Sequence, residues 1–304
     1  MIRVTFKMIE KSSYWPALLK KYDGVLKVDS CVPYKYLFLN KEGIEAFNRA
    51  ARSDVYWVSG DSFRCLNQNK KYLAGLLKDY TIIELGGFDG SALNEVYESN
   101  KEYEFEYINA DIGKGLQLLM KNNFKGVRNV KYSILKNNFD NIEFIGSIKT
   151  SRPKAILFLG NTFGNYNLKD GDVWLKKINN VMNKEDILIL GFDKRVSAKE
   201  HLGCYNIPES GQMSMLAAHS YGLPVKKLRS MMIFDVGGIH GGVVALDKFL
   251  FKGKNFEKGN FIEVFISLKS SLSNMKKRVL ASGFKLKKVL SSDQDHINHL
   301  VLVK

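Results

Sequence analysis

The stretch "TIIELGGFDGSALNEVYESN" (81–100) decides the fold. A short apolar run, Thr81–Leu85, closes on Gly86 and Gly87; Gly90 follows, and helix-forming sequence resumes at once. A buried strand passing into a helix through a glycine turn is the repeating step of a parallel sheet. The step recurs downstream. "EFEYINAD" (104–111) alternates in the strand manner and precedes the helix-forming "GKGLQLLMKNN", and "NVKYSIL" (129–135) is rich in β-formers. "KAILFLG" (154–160) and "DILILGF" (186–192) flank "DVWLKKINNVM", where Val173, Trp174, Ile178, Val181 and Met182 recur with helical spacing. Alternation of this kind implies an α/β, doubly wound, Rossmann-like sheet covered on both faces.

Beyond Asp193 the pattern changes. Residues 194–268 hold the glycine-dense "DVGGIHGGVVALD" and the strand-like runs "GGVVALD" and "NFIEVFISLK" without strand–helix alternation, which reads as an antiparallel α+β insertion. The end, from "NMKKRVLASGF" onward, gives a helix closed by Gly283 and two strand runs across a polar turn, an antiparallel hairpin that completes the sheet. Residues 1–60 have weak periodicity and several aromatics and receive no assignment. A length of 304 residues suits two domains. The expected division is 61–196 plus 269–304 for the sheet domain and 1–60 plus 197–268 for an accessory domain.

Composition limits the function classes. With 45% hydrophobic and 25% charged residues the chain is a folded globular protein. Its beginning, "MIRVTFKMIEKSSYW", lacks the uninterrupted apolar core of a secretory signal, and the apolar runs fall far short of the ~18 residues of a membrane span. Cys31, Cys65 and Cys204 are widely spaced and suggest neither a disulfide framework nor a zinc site, so the expected compartment is the cytoplasm. The net charge of +15 raises nucleic acid as a partner, but the lysine excess is scattered in doublets such as Lys176-Lys177 and Lys226-Lys227, the pattern of solvated faces.

Glycines where the first strand turns into a helix let a ligand approach the backbone, and the helix N-terminus beyond offers free N–H groups. Glu84, Gly86, Gly87 and Gly90 occupy that turn, and Asp111, closing the second strand, follows Gly90 by 21 residues, near the spacing at which an acidic group meets a ribose diol. The loop is Gly-Gly-Phe-Asp-Gly and not the G-x-G-x-x-G of dinucleotide binders. It resembles instead the first motif of class I S-adenosylmethionine-dependent methyltransferases, which implies S-adenosylmethionine as cofactor and S-adenosylhomocysteine as product.

A second stretch makes the resemblance specific. "LFLGNTFGNYNLKDGDVWLKKINNVMNKEDILILGFD" (157–193) is similar to the central motif of the histidine-specific methyltransferase family, the N-methyltransferases that begin ergothioneine synthesis, and "GIEAFNRAARSDVYWVSGDSFRCL" (43–66) extends the likeness. The resemblance implies that Gly86 and Asp111 hold the methionine backbone and ribose, that Asn138 meets the adenine and that Gly160 lies against the cofactor. It implies that Asn165 and Tyr56 position the acceptor, with Tyr205 and Ser267 on the substrate side. The chain also departs from the family. The glutamate that contacts the histidine ring is Phe265, the tyrosine of the N-terminal Tyr-Asp motif is Leu39 followed by Asn40, and the lysine of the first-motif helix is Ala92. An apolar ring at 265 implies an acceptor other than histidine, a small amino acid or amine with a more apolar or aromatic side chain. The competing readings are a methyltransferase acting on RNA or protein, and a non-catalytic binding protein that retains the fold.

Other polar clusters receive structural readings. "DQDHINH" (293–299) reads as a solvated hairpin turn, "GGIHGG" (237–242) as a tight antiparallel hairpin, and His201, His219 and His240 as isolated core or surface histidines. Trp15, Trp57 and Trp174 read as core aromatics, with Trp57 beside Tyr56 also placed to wall a pocket.

Overall fold

In a computed structural model, residues 32, 34–39, 41–113, 116–194, 197–234, 237–294 and 296–304 are described; Trp15, Cys31 and Asn40, named above, and Asp295 of "DQDHINH" lie outside them. Among the described residues a 3-10 turn at Tyr34–Leu37 precedes helices α1 (Lys41–Ala51), α2 (Trp57–Gln68) and α3 (Lys70–Leu77). Strand and helix then alternate: β1 (Thr81–Leu85), α4 (Asn94–Glu98), β2 (Phe105–Asp111), α5 (Leu116–Asn123), β3 (Val130–Lys136), α6 (Phe144–Ser147), β4 (Lys154–Phe158), α7 (Leu168–Val181) and β5 (Ile187–Asp193). Helices α8 (Ala198–Tyr205) and α9 (Pro208–Tyr221) lead into β6 (Leu228–Phe234), β7 (Gly238–Ala245), β8 (Phe249–Phe251), β9 (Lys254–Phe256) and β10 (Phe261–Leu268). The chain closes with α10 (Leu272–Ala281), β11 (Lys285–Ser291) and β12 (Ile297–Val303). These elements form two compact units, Val58–Arg195 with Lys269–Lys304, and Met1–Trp57 with Val196–Leu268.

The first unit is built on a seven-stranded sheet ordered β11-β12-β5-β4-β1-β2-β3. Strands β1 to β5 run parallel, and β12 lies antiparallel between β5 and β11, the hairpin expected at the chain's end. Strands β1, β4 and β5 are buried at every position, as a parallel sheet with both faces covered demands. Asn167 caps α7, its side-chain oxygen accepting from the Asp170 N–H at 2.9 Å. The apolar stripe of that helix differs from the expected one: Trp174, Leu175, Ile178 and Met182 are buried, whereas Val173 is exposed to solvent. Position 173 neighbours the buried 174 along the chain and so lies about 100° round the helix from it.

The "DQDHINH" segment is a solvated hairpin turn only at its start: Asp293 and Gln294 are exposed between the antiparallel β11 and β12, but the histidines that follow are not solvated. His296 Nδ1 lies 2.6 Å from Asp61 Oδ2 on α2, and His299 is fully buried in β12. Its ring contacts Cys65 Sγ at 3.4 Å and Ser62 Oγ at 3.5 Å, and burial pushes its pKa down to about 4, so it is neutral at physiological pH.

The second unit contains a three-stranded antiparallel sheet ordered β10-β7-β6 and the small β8-β9 hairpin. The antiparallel hairpin expected at "GGIHGG" is present, β6 and β7 pairing with Phe234 opposite Ile239, but most of the segment is not its turn: Gly238 to Gly242 lie inside β7, the central strand. A Cβ on Gly241 would run into the Phe265 ring, and one on Gly242 into the Ile262 carbonyl and the Phe261 ring. The glycines therefore make room for cross-strand aromatic rings, a packing need that reads in sequence like a turn. His240 is not isolated either: its Nδ1 lies 2.6 Å from Glu263 Oε2. A register shift between Glu263 and Phe265 marks a bulge in β10.

Among the described residues no helix is long and apolar enough to cross a membrane. None of their His, Cys, Asp and Glu residues gathers in threes or more to hold a metal ion. Cys65 and Cys204 are buried.

Candidate functional site

In the sheet unit the expected cofactor residues fall along one rim, the C-terminal ends of β4, β1, β2 and β3, which are adjacent in that order. The turn after β1 carries Gly86 at φ 67° and Gly90 at φ 74°, left-handed values that glycine adopts without strain. Gly86 N–H still donates to the Ala110 carbonyl at 2.8 Å, so the turn leaves the sheet one residue late. Beneath the turn, a Cβ at Gly87 would stand 2.8 Å from the Tyr107 hydroxyl and 2.9 Å from both Asn109 Oδ1 and the Glu84 carboxyl carbon. Only glycine fits over that polar floor.

Glu84 belongs to the floor. It is 3% exposed, and the Tyr107 hydroxyl donates to its Oε2 at 2.6 Å. Burial is the main cause that pushes its pKa up to about 8; the Tyr107 bond lowers it, and Asp89 and Asp111 raise it further. Asp111, at the end of β2, accepts from Gly113 N–H at 2.8 Å through Oδ1 and from Phe88 N–H at 3.1 Å through Oδ2. Burial raises its pKa, and those backbone N–H groups oppose the rise. Each carboxylate oxygen keeps a lone pair beyond these bonds, a donor set suited to a sugar diol.

The segment after β3 comes back to the same rim. Asn137 N–H donates to the Asp111 carbonyl at 3.2 Å, and the Phe139 ring lies 3.0 Å from where a Gly86 Cβ would be. Asn138 Oδ1 accepts from Asp140 N–H at 3.1 Å, leaving its amide nitrogen uncommitted among the described residues. Gly160, just past β4, has φ 63°, and among the described residues no atom beyond its chain neighbours lies within 4 Å of its would-be Cβ, so the space beside it is open. Below it Gly191 packs backbone on backbone, since a Cβ there would lie 2.9 Å from Gly160 N.

The loop that follows Gly160 is a single 3-10 turn, Thr162–Asn165. Asn161 Oδ1 accepts from Asp193 N–H at 3.3 Å, tying this loop to the end of β5. Asn165, half-buried, has no side-chain hydrogen bond among the described residues. Asp193 itself is fully buried with Lys269, which donates to its Oδ2, while Oδ1 has no hydrogen-bond partner among the described residues. Burial raises the Asp193 pKa and the Lys269 charge opposes it.

In the second unit, four of the expected substrate residues meet. The Tyr56 and Tyr205 rings pack edge to face with centroids 5.3 Å apart. The Tyr205 hydroxyl and Ser267 Oγ are hydrogen-bonded at 2.7 Å, and the Phe265 ring is 6.3 Å from that of Tyr205. Tyr205 and Ser267 are buried, whereas Tyr56 and Phe265 are half-buried. On α8, His201 lies one turn before Tyr205 and is fully buried between Trp57 (5.8 Å) and Phe234 (6.1 Å), so Trp57 serves this aromatic layer.

Sequence reading missed Asn109, whose amide touches the glycine turn. Its signal is the period-two series Tyr107, Asn109, Asp111: three polar groups on one face of a strand that both its neighbours bury.

The family model described as histidine-specific methyltransferase, SAM-dependent, matches residues 22–212. Ergothioneine biosynthesis protein 1 of Neurospora crassa is 24% identical over 162 residues, covering 52% of this chain and 18% of that protein, so the matched region spans under a fifth of the curated relative's length. Among solved structures, the mitomycin 7-O-methyltransferase MmcR superposes with a TM-score of 0.52 at 11% identity, covering 95% of this chain and 67% of that one. The magnesium protoporphyrin IX methyltransferase of Synechocystis PCC 6803, solved with bound S-adenosylhomocysteine, gives a TM-score of 0.46 at 10% identity over 89% of this chain and 97% of that one.

Proposed function

The chain belongs to the histidine-specific, S-adenosylmethionine-dependent methyltransferase family, and from that premise we propose that it methylates the amine of a small amino acid or related amine other than histidine. One observation carries the cofactor half: left-handed glycines and Asp111 crowd the C-terminal ends of adjacent parallel strands, where open α/β sheets bind ligands. On this reading Asp111 holds the ribose hydroxyls, Gly86 and Gly87 admit the methionine portion over a floor that includes Glu84, Gly90 opens the following helix, and Asn138 meets the adenine. The open space at Gly160 accommodates the cofactor's remaining edge.

Bound S-adenosylmethionine supplies a methyl group on a sulfonium, already a good leaving group. The chain's own contribution is orientation and exclusion of water, and well-aligned systems reach effective molarities of ~10⁵ M or more. Asn165, with its amide uncommitted among the described residues, orients the acceptor through hydrogen bonds, and Tyr56 offers a phenol for the same purpose. No dedicated base is required, because the acceptor amine loses its proton to solvent before attack.

The acceptor half rests on Phe265. Beside the Tyr205–Ser267 pair stands an apolar ring where the resemblance places a glutamate, and an imidazole there would lack its partner. That chemistry favours an acceptor side chain that is apolar or aromatic. We expect Phe265→Glu to raise kcat/KM for histidine by about tenfold, the worth of one buried hydrogen bond, while lowering that for aromatic amines. A wild-type enzyme that prefers histidine would sink this half and leave the cofactor half standing. The charge of +15 favours one other acceptor, RNA, and salt-sensitive label incorporation into bulk RNA would carry that reading instead.

A further inference from the structure

We propose that Asn109 is a positioning residue for the cofactor, acting through the turn after β1; the inference rests on the reading of residues 86–90 as the cofactor loop. Asn109 is fully buried on β2, one strand away from that turn. Its Oδ1 accepts from the Gly87 N–H at 3.2 Å, and its Nδ2 donates to the Phe88 carbonyl at 2.9 Å. One side-chain amide thus brackets two successive residues of the loop from below. The same Nδ2 contacts Met120 Sδ at 3.2 Å, which fixes the rotamer from the helix side.

The bracketed residue is the unusual one. Phe88 has φ 49°, a left-handed value that residues with a Cβ avoid, and it sits between Gly86 and Gly90, which take such values freely. In this conformation the Phe88 N–H reaches Asp111 Oδ2 at 3.1 Å. Asn109 therefore links three things: it holds Phe88 in a conformation the residue would not choose, that conformation aims an N–H at Asp111, and the N–H orients the carboxylate expected to receive the ribose. An apolar residue of similar size at 109 would fill the space and release the loop.

The claim predicts coupling between positions 109 and 88. Glycine at 88 adopts φ > 0 without a clamp, so it should make Asn109 dispensable. Calorimetric binding of S-adenosylhomocysteine to wild type, Asn109→Ala, Phe88→Gly and the double variant closes the cycle. Asn109→Ala should weaken binding about tenfold when Phe88 is intact and only about twofold when it is combined with Phe88→Gly. Equal losses in both cases would overturn the clamp, because a merely structural asparagine would cost the same whatever occupies position 88. Wild-type protein that does not bind S-adenosylhomocysteine would overturn the cofactor reading and the clamp with it. Should Asn109→Ala fail to fold, amide exchange in the cofactor-free wild type decides: slow exchange at Gly87 and Phe88 supports the clamp, and exchange at free-loop rates refutes it.

Discussion

Glu84 holds a proton that an exposed glutamate would release. Its folded-state pKa of about 8 lies above the usual carboxylate range, so between roughly pH 4.5 and 8 the folded chain binds a proton that the unfolded chain does not. The stabilisation from that proton is complete below about pH 4.5 and is lost as pH rises through about 8. Glu84→Gln keeps an acceptor for the Tyr107 hydroxyl and removes the titration. Urea unfolding should find the variant more stable than wild type at pH 9, by on the order of 2–4 kcal/mol, and the two closely matched near pH 5. Parallel pH profiles would show that Glu84 does not titrate as the burial implies. At this scale the sequence exposes glycines and terminal carboxylates, because their backbone freedom and charge point to few roles. It hides Asn109, because a polar residue in an alternating strand reads as solvent-facing until the neighbouring strands are placed.

Between elements, β5 braces the loop after β4 through Gly191 under Gly160 and through the Asp193 N–H, which donates to Asn161 Oδ1; the Asp193 carboxylate is buried against Lys269. Lys269→Met would strand the Asp193 charge in the interior, at a cost of about 3–5 kcal/mol in urea unfolding, and adding Asp193→Asn should recover most of it. No recovery would mean that Lys269 acts through packing alone. In the second unit, Gly241→Ala would press a methyl into the Phe265 ring and destabilise by about 1–3 kcal/mol, with Phe265→Leu relieving the loss. The strands of the sheet and the final hairpin were legible because their apolar runs are continuous and their turns polar. The "GGIHGG" and "DQDHINH" segments were legible only in part, because much of what defines them comes from far along the chain: the Phe265 ring over Gly241, and Asp61, Ser62 and Cys65 of α2 against His296 and His299.

For the molecule as a whole, the class of fold follows from strand–helix alternation, while the strand order depends on pairings that no local window contains. The proposed chemistry has its own signature at this scale. An amine acceptor must be neutral to attack, so kcat/KM should rise about tenfold per pH unit until the amine's pKa is reached, and a flat profile from mildly acidic to alkaline pH would argue against nitrogen methylation. The most direct test of the account is transfer of labelled methyl from S-adenosylmethionine to a panel of free amino acids, small amines and bulk RNA, with Asn165→Ala alongside. The account predicts label in a small non-histidine amine, lost in the variant. Cofactor bound with no label in any acceptor, or label confined to histidine or RNA, would contradict it.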